Sequence, residues 1–92
     1  MAYSIEFHPK VERDLDKIPL KSVREILKSI REKLTVRPGT AGEALKGKLK
    51  GFYKLKIADF RVVYALEKGK VYILTIAQRG KVYEIAKQRK SR

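Results

Sequence analysis

The stretch from Gly51 to Tyr64 constrains this chain most, because its apolar residues recur with period two on both sides of a tight turn. In the first predicted strand Tyr53, Leu55 and Ile57 share one face, and Phe52, Lys54 and Lys56 share the other. In the second, Phe60, Val62, Tyr64 and Leu66 alternate with Arg61, Val63 and Ala65. A two-residue loop at Ala58-Asp59 sets Ile57 opposite Phe60 and Lys56 opposite Arg61. One face is then an apolar surface for a core, and the other gathers Lys54, Lys56 and Arg61. Like charges directly opposite one another cost stability. A sequence that breaks a local rule in this way tends to do so at a functional site. Fixed cations on a sheet suit a phosphate.

The charge of the chain is distributed to match. The net charge is +13 over 92 residues. Residues 1–46 carry 10 basic and 7 acidic side chains, whereas residues 47–92 carry 13 and 3. A lysine-rich surface kept for solubility would not be so one-sided. The second half reads as a footprint for a polyanion. The length allows one domain, 1–92, with a modest core. Without cysteine there is no disulfide framework, and no apolar run reaches the length of a bilayer span. A soluble, cytoplasmic protein that does not engage a membrane is the expectation.

In chain order, Tyr3, Ile5 and Phe7 alternate as a half-buried strand, and Val11, Leu15 and Ile18 follow at helical spacing up to Pro19. Ser22 and Glu25 fit a capping box opening a second helix, with Val23, Ile26, Leu27, Ile30 and Leu34 as its apolar stripe. Residues 35–51 are glycine-rich and expected to be mainly loop, holding Lys46, Lys48 and Lys50. After Leu66, a three-residue loop Glu67-Lys68-Gly69 is expected, since lysine resists positive φ at the first position of a two-residue loop. That choice puts Val71, Ile73, Thr75, Ala77 and Arg79 on the face of Lys54, and Tyr72, Leu74 and Ile76 in the core, whereas the alternative register flips Arg79 to the other side. The end, from Lys81, reads as a short basic helix or tail. The expected fold is α+β, with a strand and two-helix hairpin packed on an antiparallel or mixed four-stranded sheet, helices on one side.

Much chemistry is missing. His8 is the only histidine and reads as a surface or capping residue, so a two-histidine acid–base nuclease is excluded. The basic half offers only Asp59, Glu67 and Glu84 as metal ligands. No metal or other cofactor is expected, and any catalysis must run on lysine, arginine and tyrosine.

The run 45–64, with Tyr53-Lys54-Leu55-Lys56 followed by Arg61-Val62-Val63-Tyr64, and the ending Arg79-Gly80-Lys81-Val82-Tyr83 resemble the RelE toxins of the RelE/ParE toxin–antitoxin superfamily over nearly the whole chain. The resemblance implies a compact α+β fold and an endoribonuclease that cuts mRNA in the ribosomal A site. It puts the active-site pattern on Lys54, Lys56, Arg61, Arg79 and Tyr83, with Gln78 where many relatives carry histidine. The implied reaction is attack of a ribose 2′-OH on its own 3′ phosphorus. Lys56, Arg61 and Arg79 would stabilise the charge that develops, and the base is left between Lys54 and Tyr83. Lys46, Lys48, Lys50, Lys81, Lys87 and Arg89 would make general ribosomal RNA contacts. A RelB-like antitoxin is the implied partner, beside the ribosome and mRNA, with the toxin alone a monomer. Two alternatives stay open: a ParE-like gyrase-inhibiting toxin, and a non-catalytic nucleic-acid-binding domain.

Overall fold

The computed structural model of the protein describes residues 2–90. The chain runs β1 (Ser4–Phe7), α1 (Val11–Asp16), α2 (Leu20–Ser29, widening into a π-helical stretch Ile30–Leu34), a one-turn α3 (Pro38–Ala41) and β2 (Glu43–Ala44). After a 3-10 turn at Gly47–Leu49 come β3 (Phe52–Ile57), β4 (Phe60–Glu67), β5 (Lys70–Gln78) and α4 (Val82–Arg89). The strands form one sheet in the order β1-β5-β4-β3-β2. β1 runs parallel to β5, and the other neighbours are antiparallel. Among the described residues no helix is long and apolar enough to cross a membrane.

The α+β class is as expected, with two differences in layout. Among the described residues the sheet has five strands rather than four, because Glu43 and Ala44 pair with Lys54 and Tyr53 inside the stretch expected to be loop. Helices also cover both faces. Ile26, Ile30 and Leu34 of the α2 stripe pack with Leu55, Val62, Tyr64 and Ile76 on one side. On the other, Val82 and Ala86 of α4 bury themselves against Leu49, Val63 and Leu74. The basic end of the chain is therefore an ordered helix with an apolar underside. The capping box does not form: α2 begins at Leu20 behind Pro19, with no side-chain cap, so Ser22 lies inside the helix. His8 is buried rather than on the surface, and its Nδ1 accepts the Lys10 N–H at 3.1 Å just before α1.

The β3–β4 pairing has Lys56 opposite Arg61 and Ile57 opposite Phe60, as period two requires. The β4–β5 hairpin differs from expectation. Glu67 pairs with Lys70, leaving a two-residue loop, and the positive φ of +68° falls on Gly69 in the second position, so Lys68 is spared it. The register then puts Val71 and Ile73 in the main core, and Tyr72 and Leu74 under α4. A bulge between Val63 and Tyr64 corrects the parity, after which Val62 meets Ile76 and Arg61 meets Ala77. The far end of β5 thus regains the expected faces although its near end does not.

Tyr64 anchors the 38–42 segment to the sheet. Its hydroxyl donates to the Pro38 carbonyl at 2.7 Å, and its ring stacks on Tyr53 at 5.5 Å. Burial, with a smaller contribution from neighbouring Tyr53, pushes the Tyr64 phenol up from 10.0 to about 12. The unfolded chain therefore loses this proton first as pH rises. Stability is expected to hold to pH ~10 and to fall between pH ~10 and ~12, by about 3 kcal/mol in all. Ultraviolet titration should show one tyrosinate of the five forming late. If all ionise together in the folded protein, Tyr64 is not buried as described.

Gly42 completes this contact. A Cβ there would lie 2.5 Å from the Lys54 carbonyl oxygen and would also overlap the Tyr64 hydroxyl. Backbone cannot step aside as a side-chain tip can. Gly42→Ala is accordingly expected to cost about 1–3 kcal/mol in urea unfolding, and a neutral result would mean β2 can move away from β3.

Candidate functional site

The unusual pairing of two cations on adjacent strands puts Lys56 and Arg61 directly opposite each other. Lys54 lies one pleat along β3 on the same face, opposite the buried Val63. Because Val63 packs under α4, the cationic face and the α4 face are one surface. The Lys54 Nζ sits 5.8 Å from the centre of the Tyr83 ring, within range of a cation–π contact. It also lies 3.6 Å from Glu43 Oε1, across the β2–β3 pairing. Lys54 is thus held from two sides, by a carboxylate and by an aromatic ring.

Arg61 is half-buried, and its Nη1 donates to the carbonyls of Ala58 at 3.0 Å and Phe60 at 2.9 Å. The side chain folds over its own turn, where Ala58 takes a φ of +53° that non-glycine residues rarely adopt. The same turn receives Arg79, whose backbone N–H donates to the Asp59 carbonyl at 3.0 Å. Arg79 itself is exposed just beyond β5. Lys54, Lys56, Arg61 and Tyr83 therefore share one side of the sheet, and Arg79 is tied to the edge of that group through the β3–β4 turn.

The exposed lysines form the surround. Lys46, Lys48 and Lys50 are exposed about the 3-10 turn, Lys81 precedes α4, and Lys87 is exposed on it. Lys90 Nζ hydrogen-bonds the Lys48 carbonyl, joining the two basic segments. Arg89 corrects the sequence reading. Its guanidinium makes a two-armed bridge to Asp14, Nη1–Oδ2 at 2.7 Å and Nη2–Oδ1 at 2.8 Å, with side chains only 13% and 7% exposed. An arginine with both arms held by a buried carboxylate is not offered to RNA.

Two residues escaped the sequence reading. Glu43 sits in a stretch taken as loop, and only its pairing with β3 brings it to Lys54. Asp14 is one of several acidic residues in the first half, and no local pattern marks it out. The better-formed clefts lie beside Asp14, one of 240 Å³ lined by Phe60, Gln78, Lys81 and Ile85, another of 770 Å³ by His8, Lys10, Tyr72 and Gln88. The cationic group forms an open face rather than part of these clefts.

Known proteins share this fold. The family model for the ParE toxin of type II toxin–antitoxin systems matches residues 5–83. The chain is 29% identical over 85 residues to the toxin RelE of Mycobacterium tuberculosis, covering 90% of this chain and 88% of that one. Its fold is similar to the RelBE2 toxin–antitoxin complex of M. tuberculosis, with a TM-score of 0.80 at 23% identity over 86% of this chain and 93% of that one. A variant of E. coli RelE in complex with an antitoxin RelBc peptide gives a TM-score of 0.70 at 27% identity, over 94% and 95% of the two chains. The chain belongs to the ParE toxin family of type II toxin–antitoxin systems, within the RelE/ParE superfamily.

Proposed function

We propose that this toxin is a ribosome-dependent endoribonuclease that cuts mRNA in the A site and so inhibits translation. The observation that carries the reading is the Lys56–Arg61 pair, set directly across two strands, with Lys54 and Tyr83 on the same face. A gyrase-binding surface has no need of such a cage for phosphate. In the reaction the ribose 2′ oxygen attacks the adjacent phosphorus and the bond to the 5′ oxygen breaks. The products are a 2′,3′-cyclic phosphate and a 5′-OH. Negative charge on the phosphoryl oxygens grows toward the transition state, and fixed cations stabilise it without reorganising. Lys56 and Arg61 serve those oxygens, and Arg79 at the rim serves the leaving oxygen. One of Lys54 and Tyr83, which lie in contact with each other, takes the proton from the 2′-OH, and the leaving 5′ oxygen gains a proton from water as its bond breaks. Lys46, Lys48, Lys50, Lys81 and Lys87 add general contacts to ribosomal RNA that weaken with salt.

The partner is an antitoxin of the RelB kind, as in the neighbouring complexes. An acidic segment would complement the net charge of +13. The deciding experiment is a translating extract with a defined mRNA, read by primer extension. Cuts at fixed codon positions that require the ribosome support the proposal. The match to the ParE model favours a second reading, gyrase inhibition. Double-strand DNA breaks that depend on gyrase, with the mRNA intact, would establish it instead.

A further inference from the structure

We propose that Asp14 and Arg89 are positioning residues: their buried bridge fixes α4 against the open edge of β5 and thereby holds Tyr83 over Lys54. This rests on the ribonuclease reading only for its consequence in catalysis.

The reason for the bridge lies in the sheet. β1 ends its pairing at Phe7 and Ile73, while β5 continues to Gln78. Past that point the outer edge of β5 has lost its neighbour, and its backbone groups need other partners. Asp14 Oδ2 accepts the Ile76 N–H at 3.2 Å and the Thr75 hydroxyl at 2.8 Å. Arg89 Nη1 donates to the Leu74 carbonyl at 3.2 Å. The pair thus replaces a missing strand with side chains, one from α1 and one from the last turn of α4. Clefts on either side both reach Asp14, Lys17 and Ile85, so α1 and α4 are not packed continuously against each other. The bridge is what ties them.

α4 depends on that tie. At eight residues it is too short to be stable alone, and it buries only Val82 and Ala86 completely. Tyr83 leaves its first turn toward Lys54 Nζ, and Arg89 closes its last. With one end released, the helix frays from that end and pivots on two small apolar contacts. The ring then loses its fixed place on the cationic face. A bidentate guanidinium specifies orientation as well as attraction, which a lysine in the same place would not.

The test compares wild type, Arg89→Gln and Arg89→Lys by amide hydrogen exchange, by the nuclear Overhauser contact between the Tyr83 ring and the Lys54 side chain, and by single-turnover cleavage on programmed ribosomes. In Arg89→Gln, exchange of the α4 amides is expected to speed up at least tenfold more than that of the β4 amides, which report the global loss of stability. The Tyr83–Lys54 contact should fade, and the cleavage rate at saturating ribosome should fall at least tenfold. Arg89→Lys keeps the charge but one arm, and should stand between the two in all three. If Arg89→Gln unfolds, Arg89→Lys alone decides by the same readouts. α4 amides and a Tyr83–Lys54 contact as in wild type in the variants would overturn the proposal. Should the wild type itself leave mRNA uncut, the ribonuclease reading falls, while exchange and the ring contact still decide positioning.

Discussion

Arg61→Ala is expected to slow mRNA cleavage on programmed ribosomes by roughly 10²–10³-fold, the usual effect of removing one preorganised donor to a developing oxyanion. The fold should survive. Arg61 is lost from a turn whose carbonyls of Ala58 and Phe60 can turn to water, and Ala58 is exposed. Two modest hydrogen bonds go, but so does the repulsion from Lys56 directly opposite. The two nearly offset, leaving a stability change within about 1 kcal/mol and a melting shift of at most ~8 °C. Arg61→Lys should recover only part of the rate, because an ammonium cannot present the flat two-pronged donor that suits a phosphate. Primer extension under single-turnover conditions gives the rate, and circular dichroism melting gives the fold. Cleavage by Arg61→Ala at the wild-type rate would remove this residue from the site.

The largest effect on stability is expected from Asp14→Ala. The carboxylate is almost fully buried and accepts from Thr75, Ile76 and both arms of Arg89. Truncation strands the guanidinium of Arg89 in a site only 13% exposed and leaves the Ile76 N–H on an open strand edge without its acceptor. Removing one partner of a buried pair costs about 3–5 kcal/mol, far more than the pair itself contributes over an apolar replacement. For a domain of this size that lowers the melting temperature by more than ~12 °C. Being buried, the loss should change little between low and high salt, unlike that of an exposed pair such as Lys70–Glu6. Urea unfolding at two ionic strengths checks both points. A cost below about 1 kcal/mol would mean the site is open to water and the bridge behaves as a surface pair.

How much of this was legible in the chain differs from element to element. The β3–β4 hairpin and its cations could be read directly, because side-chain alternation and a two-residue turn are local rules that leave one register. The apolar stripe of α2 was equally plain. Tyr83 entered the candidate site only through the resemblance to RelE toxins, since nothing in the residues around it says which face a final helix will cover. Arg89 was misread for a related reason: its partner Asp14 lies 75 residues away, so its charge looked like part of a basic tail.

From its sequence alone, this protein was bound to form a one-sidedly basic hairpin with an apolar side and a cationic side. Tertiary structure decided the rest. The bulge that skips Leu74 of β5, the short β2 that brings Glu43 to Lys54, and the laying of α4 over the cationic face each depend on contacts between distant segments. Period and turn chemistry act over a few residues, whereas strand edges and uncovered apolar faces are satisfied by whatever the whole chain brings to them.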